Sequence, residues 1–265
     1  LFDRVKREGV PRLDIDGVTE IDFRGKSSGG HRAAGQTLAA GRAFWSWLLD
    51  RDVVSMNPWK DQKKLAEESV CGIANRALND DEIKTLLANS NRLSQRDRTA
   101  LKLMLATGLR PNEVCGAEWT EMNLKTGEWI VPGARMKYKK APHLVYLSDY
   151  ALNELKSWRK TQHGRHRFVF PSNSAKRSHL VADNLVTRCK DFDVPGFTPK
   201  VCRATVRTGL QRLECPEEVR SRISHHQRGD KVARSYDHHT YDKEAKYWWQ
   251  RWGEHLTNLE NNQDS

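Results

Sequence analysis

Tyr236 stands 11 residues after His225, 33 after Arg203 and 99 after Lys137, with Arg110 further upstream. A phenol, two guanidiniums, an imidazole and an ammonium are what a metal-free attack on a phosphodiester requires. The phenol can be the nucleophile, but with a pKa of about 10 it must lose its proton during the attack. Two arginines can clamp the non-bridging oxygens and stabilise the charge that develops on phosphorus. A lysine or histidine can then protonate the departing oxygen, which otherwise leaves as a poor alkoxide. These residues are scattered over more than 100 positions, so a fold must gather them.

The chain has 265 residues, enough for one large or two ordinary domains. Lys and Arg total 45 against 34 acidic residues, a net charge of +11. Residues 1–75 hold 12 basic and 11 acidic residues, leaving 33 and 23 for the remainder, so nearly all the surplus lies with the candidate chemistry. A basic field around such a centre points to a polyanionic substrate whose binding weakens with salt. Five cysteines (71, 115, 189, 202 and 215) include no Cys-x-x-Cys pair, which favours free thiols over a disulfide framework or a zinc site. No apolar run reaches the length of a membrane span. No signal peptide is visible, and a chain opening at Leu1 reads as a fragment.

Several elements must position these groups. From His31 to about Asp50 the pattern is helical, with Leu38, Phe44, Trp45, Trp47, Leu48 and Leu49 on one broad face. Asn57-Pro58 is expected to break it, and Lys60–Glu68 reads as a charged linker. Asn79-x-x-Glu82 is a capping signal for a helix through Leu87, with Asp80, Asp81 and Glu82 complementing the helix dipole rather than binding metal. Leu101, Leu103, Met104 and Leu105 make a buried helix that stops at Gly108. Arg110 precedes Pro111, which fits the first position of a new helix, so Arg110 is expected at a helix N-terminus with Glu113 orienting it. Three short antiparallel strands are expected at Glu128–Val131, Arg135–Lys137 and His143–Leu147, with Lys137 ending the second.

Thr198-Pro199 is expected to open a helix that carries Lys200 and Arg203 one turn apart. Pro216–Ser224 reads as a short helix with Val219 and Ile223 inward, delivering His225, and His226 is its immediate competitor. The pairs 225–226 and 238–239 invite a metal reading, but no Cys or carboxylate completes a tetrahedral set at usable spacing. Val232 and Tyr236 are expected one turn apart on a further helix. Tyr241 and Tyr247 are the alternative nucleophiles, Tyr247 adjoining a stripe of Trp248, Trp249, Trp252 and Leu256 that reads as core. Residues 257–265 read as a frayed polar end.

Five strings sharpen the reading: Ala-Thr-Gly-Leu-Arg-Pro-Asn-Glu (106–113), Arg-Met-Lys (135–137), Thr-Pro-Lys-Val-Cys-Arg-Ala-Thr (198–205), Ile-Ser-His (223–225) and Tyr-Asp-His-His (236–239). In this order and at these separations the chain resembles the tyrosine recombinases, the phage-integrase family, closely over 76–256 and more loosely before. The resemblance implies a mainly α fold with a small antiparallel β-sheet, arranged as a two-domain DNA clamp. Residues 1–75 would be a truncated helical core-type DNA-binding domain and linker, and 76–265 the catalytic domain. It implies catalytic roles for Arg110, Lys137, Lys200, Arg203, His225 and the nucleophile Tyr236. Lys200 departs from the family, which usually has histidine there, and lysine is a donor only at neutral pH.

The activity implied is site-specific cleavage and rejoining of duplex DNA through a 3′-phosphotyrosyl intermediate, in the integration or excision of a mobile element. It needs no cofactor and no metal. The partners implied are double-stranded DNA, further copies of the chain as a tetramer on DNA, and accessory DNA-bending proteins, in the cytoplasm at the nucleoid and away from membranes. A type IB topoisomerase, whose constellation is similar, and an inactive DNA-binding protein are the rival readings.

Overall fold

The computed structural model describes residues 30–61, 76–136, 141–162, 166–175, 177–225 and 240–262, with side chains from Thr37 onward in the first stretch. The chain divides into two compact units, Leu1–Cys71 and Gly72–Ser265.

In the first unit, helix α1 spans Gly30–Leu49. The helix expected from His31 to about Asp50 is present, and its apolar residues are unequally covered. Leu38 is buried, whereas Phe44 and Trp47 are 56% and 50% exposed. The helix ends well before Asn57-Pro58, so the proline does not break it. The Asn57 side chain folds the segment back instead. Its Nδ2 donates to the Arg42 carbonyl (3.1 Å) and to Ser46 Oγ (2.9 Å), while its Oδ1 accepts from the Trp59 N–H (2.9 Å). The Trp59 ring then lies against Gly41, where a Cβ would come within 2.3 Å of it, so only glycine permits this approach.

The second unit runs α2 (Asp80–Ser90), α3 (Gln95–Thr107), α4 (Pro111–Cys115), a 3₁₀ turn (Trp119–Glu121), β1 (Met122–Asn123), β2 (Glu128–Val131) and a 3₁₀ turn (Gly133–Arg135). It continues through β3 (His143–Tyr146), α5 (Asp149–Thr161), α6 (Ala182–Arg188), α7 (Val201–Arg212), α8 (Glu217–Ile223) and α9 (Asp242–Asn261). The capping box at α2 forms as read: Asn79 Oδ1 accepts from the Glu82 N–H (2.8 Å) and Glu82 Oε2 from the Asn79 N–H (3.0 Å).

The sheet is antiparallel in the order β1-β2-β3, but its strands are not all the expected ones. Arg135 lies in a 3₁₀ turn and Met136 follows outside any strand, so the expected Arg135–Lys137 strand is not formed at its described residues. The third strand is β1, which pairs Met122 with Trp129 and Asn123 with Glu128. Arg135 is held away from the ladder by Glu121, with a further bond from its Nη1 to the Gly116 carbonyl (2.8 Å). In β2 and β3 the period of two puts Trp129, Val131, His143 and Val145 on the buried face. His143 pairs with Val131.

Helix α3 runs through the core and is buried along almost its whole length. Its last carbonyls, which have no partner within a helix, are met from outside. Met104 accepts from the Gly108 N–H (3.0 Å), with Gly108 in the left-handed region at φ 69°. The indoles of Trp252 and Trp249 in α9 donate to the Leu105 (2.7 Å) and Thr107 (3.2 Å) carbonyls. The tryptophan stripe therefore does two jobs: Trp249, Trp252 and Leu256 fill the core, and the two indoles cap the helix that leads into Arg110. One buried cation, Lys102 Nζ, ties three helices together, donating to Glu154 of α5 and Glu260 of α9 (2.6 Å each). Residues 257–261 are accordingly helical rather than frayed, with Leu259 buried.

Four cysteines, 115, 189, 202 and 215, are free and buried. Burial pushes the Cys115, Cys189 and Cys215 thiols up to about 12, so they carry no thiolate at neutral pH. Cys71 lies outside the described residues.

Candidate active site

Arg110 leaves α3 in extended backbone (φ −68°, ψ 145°) immediately before Pro111, the first residue of α4. Glu113 holds it twice: Oε1 accepts from the guanidinium Nη1 (2.8 Å) and Oε2 from the Arg110 N–H (2.9 Å). Glu113 is buried while Arg110 remains about one third exposed, so the carboxylate fixes the base of a fork whose far side is open. The expected helix N-terminus is present, but α4 has only five residues, so its dipole adds little and the guanidinium carries the positive charge.

Arg203 reaches the same place from α7. Its Nη1 donates to the Gly108 carbonyl (2.9 Å) and its Nη2 to the Ser224 carbonyl. One side chain thus ties the exit of α3 to the turn that presents His225, across 95 and 21 residues. Burial, then the neighbouring Arg110 charge, bring the Arg203 guanidinium down to about 10, with Glu113 opposing them. It stays cationic at neutral pH. Two like charges set side by side repel, and an anion placed between them removes the repulsion.

Helix α8 buries Val219 and Ile223, as read, and ends at Ile223, with Ser224 as its C-cap. His225 follows in the left-handed region at φ 45°, its N–H donating to the Arg222 carbonyl (3.1 Å). A non-glycine residue there is held in a costly conformation by its surroundings. The ring lies against His143 of β3, with centroids 4.6 Å apart.

His143 opens an expected strand six residues after Arg-Met-Lys, a spacing that resembles the family's catalytic hairpin but assigns the histidine no chemical role, and here it is a buried part of the site. Its Nε2 faces the Ile223 carbonyl (3.2 Å) and its Nδ1 faces Arg222 Nη1 (3.1 Å). Burial first, then the charges of Arg222, His225 and Arg203, push it down to about 3. Arg222 also donates to the Leu144 carbonyl (3.1 Å) and, from Nε, to Asp242 Oδ1 (2.9 Å) at the start of α9. Neither Arg222 nor Asp242 is marked by any local motif.

Among the described residues, the structure therefore brings Arg110, Arg203 and His225 together. Lys200 is the N-cap of α7, in helical backbone (φ −65°, ψ −28°) three residues before Arg203, and it is exposed, with no capping bond from its side chain. Lys137 and Tyr236, with His226 and Val232, lie outside the described residues. Of the alternative nucleophiles, Tyr241 is partly buried at the start of α9 with φ 53°, and Tyr247 is 57% exposed.

The model of the phage integrase family matches residues 76–243. This chain belongs to that family. Among curated proteins it is 28% identical over 161 residues to the prophage integrase IntA of Escherichia coli (strain K12), covering 59% of this chain and 38% of that one. It is 30% identical over 137 residues to the tyrosine recombinase XerC of Xylella fastidiosa (strain M23), covering 51% and 44%. The chain thus spans less than half the length of these two relatives. Among solved structures, the Tn1549 transposon integrase (residues 82–397) in complex with circular intermediate DNA shares the fold at a TM-score of 0.60 and 16% identity, covering 81% of this chain and 77% of that one. No described helix is long and apolar enough to cross a membrane.

Proposed function

We propose that this chain is a site-specific DNA recombinase that cleaves and rejoins duplex DNA through a 3′-phosphotyrosyl intermediate, in the integration or excision of a mobile element. The observation that carries this reading is the pairing of Arg110 and Arg203 beside His225. Two guanidiniums, one from the junction of α3 and α4 and one from α7, are anchored by Glu113 and by two backbone carbonyls, with the Arg110 fork partly open. Such an arrangement suits one tetrahedral anion, and the basic surplus of the second unit suits a polymer of them. The family relatives named recombinase and integrase support the same reaction class.

In the reaction, the Tyr236 oxygen forms a bond to the scissile phosphorus as its phenolic proton passes to solvent water, and the bond to the 5′-oxygen breaks. Arg110 and Arg203 neutralise the non-bridging oxygens as charge builds. Lys137 gives a proton to the departing 5′-oxygen, His225 hydrogen-bonds at the same phosphate, and Lys200 serves as a further phosphate donor. Attack by the 5′-hydroxyl of another strand reverses these steps and releases the tyrosine. The phosphodiester energy is kept in the protein–DNA bond, so no nucleotide is consumed. Residues 1–75 are assigned to gripping DNA and 76–265 to catalysis, and four copies on DNA would supply four cleaved strands.

A duplex nicked just beyond the cleavage site tests this, because the freed fragment diffuses away and traps the adduct. The wild-type chain is expected to accumulate a covalent protein–DNA band, and Tyr236→Phe none while still binding DNA, since affinity comes from distributed phosphate contacts. Adducts that persist in Tyr236→Phe place the nucleophile elsewhere. A chain that binds but never forms adducts supports an inactive DNA-binding protein.

A further inference from the structure

The hydrogen-bonding partners of His143 assign its tautomer. A carbonyl only accepts, so the contact to the Ile223 oxygen requires a proton on Nε2. A guanidinium only donates, so the contact from Arg222 Nη1 requires a bare Nδ1. A second proton on His143 would break that bond and set an imidazolium against Arg222. The ring is thus held at both nitrogens, and its faces pack near His225 and Trp249.

The lock extends to the segment that follows the nucleophile. Arg222 holds His143 with one nitrogen and Asp242 with two others, and it donates to the Leu144 carbonyl as well. Asp242 opens α9, six residues after Tyr236. We propose that His143 is a positioning residue for His225, held as its neutral Nε2–H tautomer by Arg222, and that Asp242 ties this lock to the helix that follows Tyr236. This rests on the recombinase reading of the site. His143 touches no substrate in it; it fixes the ring of a residue that does, while Arg222 and Asp242 keep the start of α9 in register with that ring.

A double-mutant cycle tests the inference, using single-turnover cleavage of the nicked duplex by the whole chain. His143→Phe keeps a ring against His225 but removes both hydrogen bonds, and His143→Gln keeps a donor for the Ile223 carbonyl. In the wild-type background His143→Phe is expected to lower the rate by about 10-fold or more, the scale for losing an orienting partner, with His143→Gln intermediate. In a His225→Ala background the same changes are expected to alter the residual rate by less than about 2-fold, because the residue they act through is gone. Asp242→Asn, which keeps an acceptor and loses the charge, is expected to follow the same pattern and serves if the His143 variants do not fold. Imidazole ¹⁵N shifts at pH 6 give a readout apart from activity: His143 is expected as neutral Nε2–H. Equal losses in both backgrounds, or a doubly protonated or Nδ1–H ring, overturn the inference alone. A wild-type chain that forms no adduct overturns the reading of the site and this inference with it.

Discussion

Arg203 spends one side of its guanidinium on the Gly108 and Ser224 carbonyls, so it is both a scaffold bond and a charge aimed at the site. Arg203→Ala is expected to lower single-turnover cleavage on the order of 10² or more, the scale for losing one charge-stabilising donor. Arg110 permits a cleaner separation of charge from geometry. Arg110→Lys leaves a cation beside buried Glu113 and so is expected to fold normally, yet to cut the rate by at least about 10-fold, because a point charge cannot make the two-pronged contact. Full activity in Arg110→Lys counts against the clamp. His143 makes a prediction about stability. Its folded pKa, about 3, lies below that of an unfolded histidine at about 6.5, so below that pH the unfolded chain binds a proton that the folded chain resists. Its contribution is complete above pH 6.5 and is lost as pH falls, at up to about 1.4 kcal/mol per unit. Urea unfolding between pH 6.5 and 5 is expected to show a steeper loss in wild type than in His143→Gln, and identical slopes would contradict the burial of a neutral ring. Arg110, Arg203 and His225 were singled out by the family strings that contain them, and their backbone settings were legible from Pro111, the Thr-Pro pair before α7 and the end of a short amphipathic helix. Arg222 and Asp242 were not, because their pairing joins residues 20 apart through tertiary packing and leaves no periodic trace.

At the scale of elements, the capping box at Asn79, the stop at Gly108 and the break at Arg110-Pro111 were all readable, since each depends on backbone chemistry within a few residues. The strands were harder. Arg-Met-Lys has no feature that separates a strand from the turn Glu121 imposes on Arg135, and β1 is only two residues long. Likewise Phe44 and Trp47 fit a helical face by spacing, but spacing cannot say how much of that face the fold covers. Packing between α7 and α9 yields a further test. A Cβ at Gly209 would lie 2.3 Å from the Trp252 ring, which is buried and pinned by its bond to the Leu105 carbonyl. Gly209→Ala should gain about 1 kcal/mol in helix propensity and lose about 1–3 kcal/mol to overpacking. A net loss in urea unfolding is expected. A stabilised variant would mean that α7 and α9 are not held at this distance.

At the scale of the molecule, the basic surplus lies almost wholly in residues 76–265, the part that the family model covers for most of its length. Duplex DNA affinity, followed by fluorescence anisotropy, is expected to fall by about 10³-fold or more between about 50 and 200 mM salt, as for a protein that neutralises several phosphates. An affinity indifferent to salt would contradict a polyanionic substrate. The central claim is a covalent bond between Tyr236 and a 3′-phosphate. Its most direct test is mass spectrometry of the adduct trapped on the nicked duplex, after nuclease and trypsin digestion. Cleavage after Arg234 and Lys243 yields one peptide, Ser235–Lys243, that contains both Tyr236 and Tyr241. Fragmentation is expected to place a 3′-linked nucleotide on Tyr236. A nucleotide on Tyr241 or on any other residue, or one joined through its 5′-phosphate, would contradict the account.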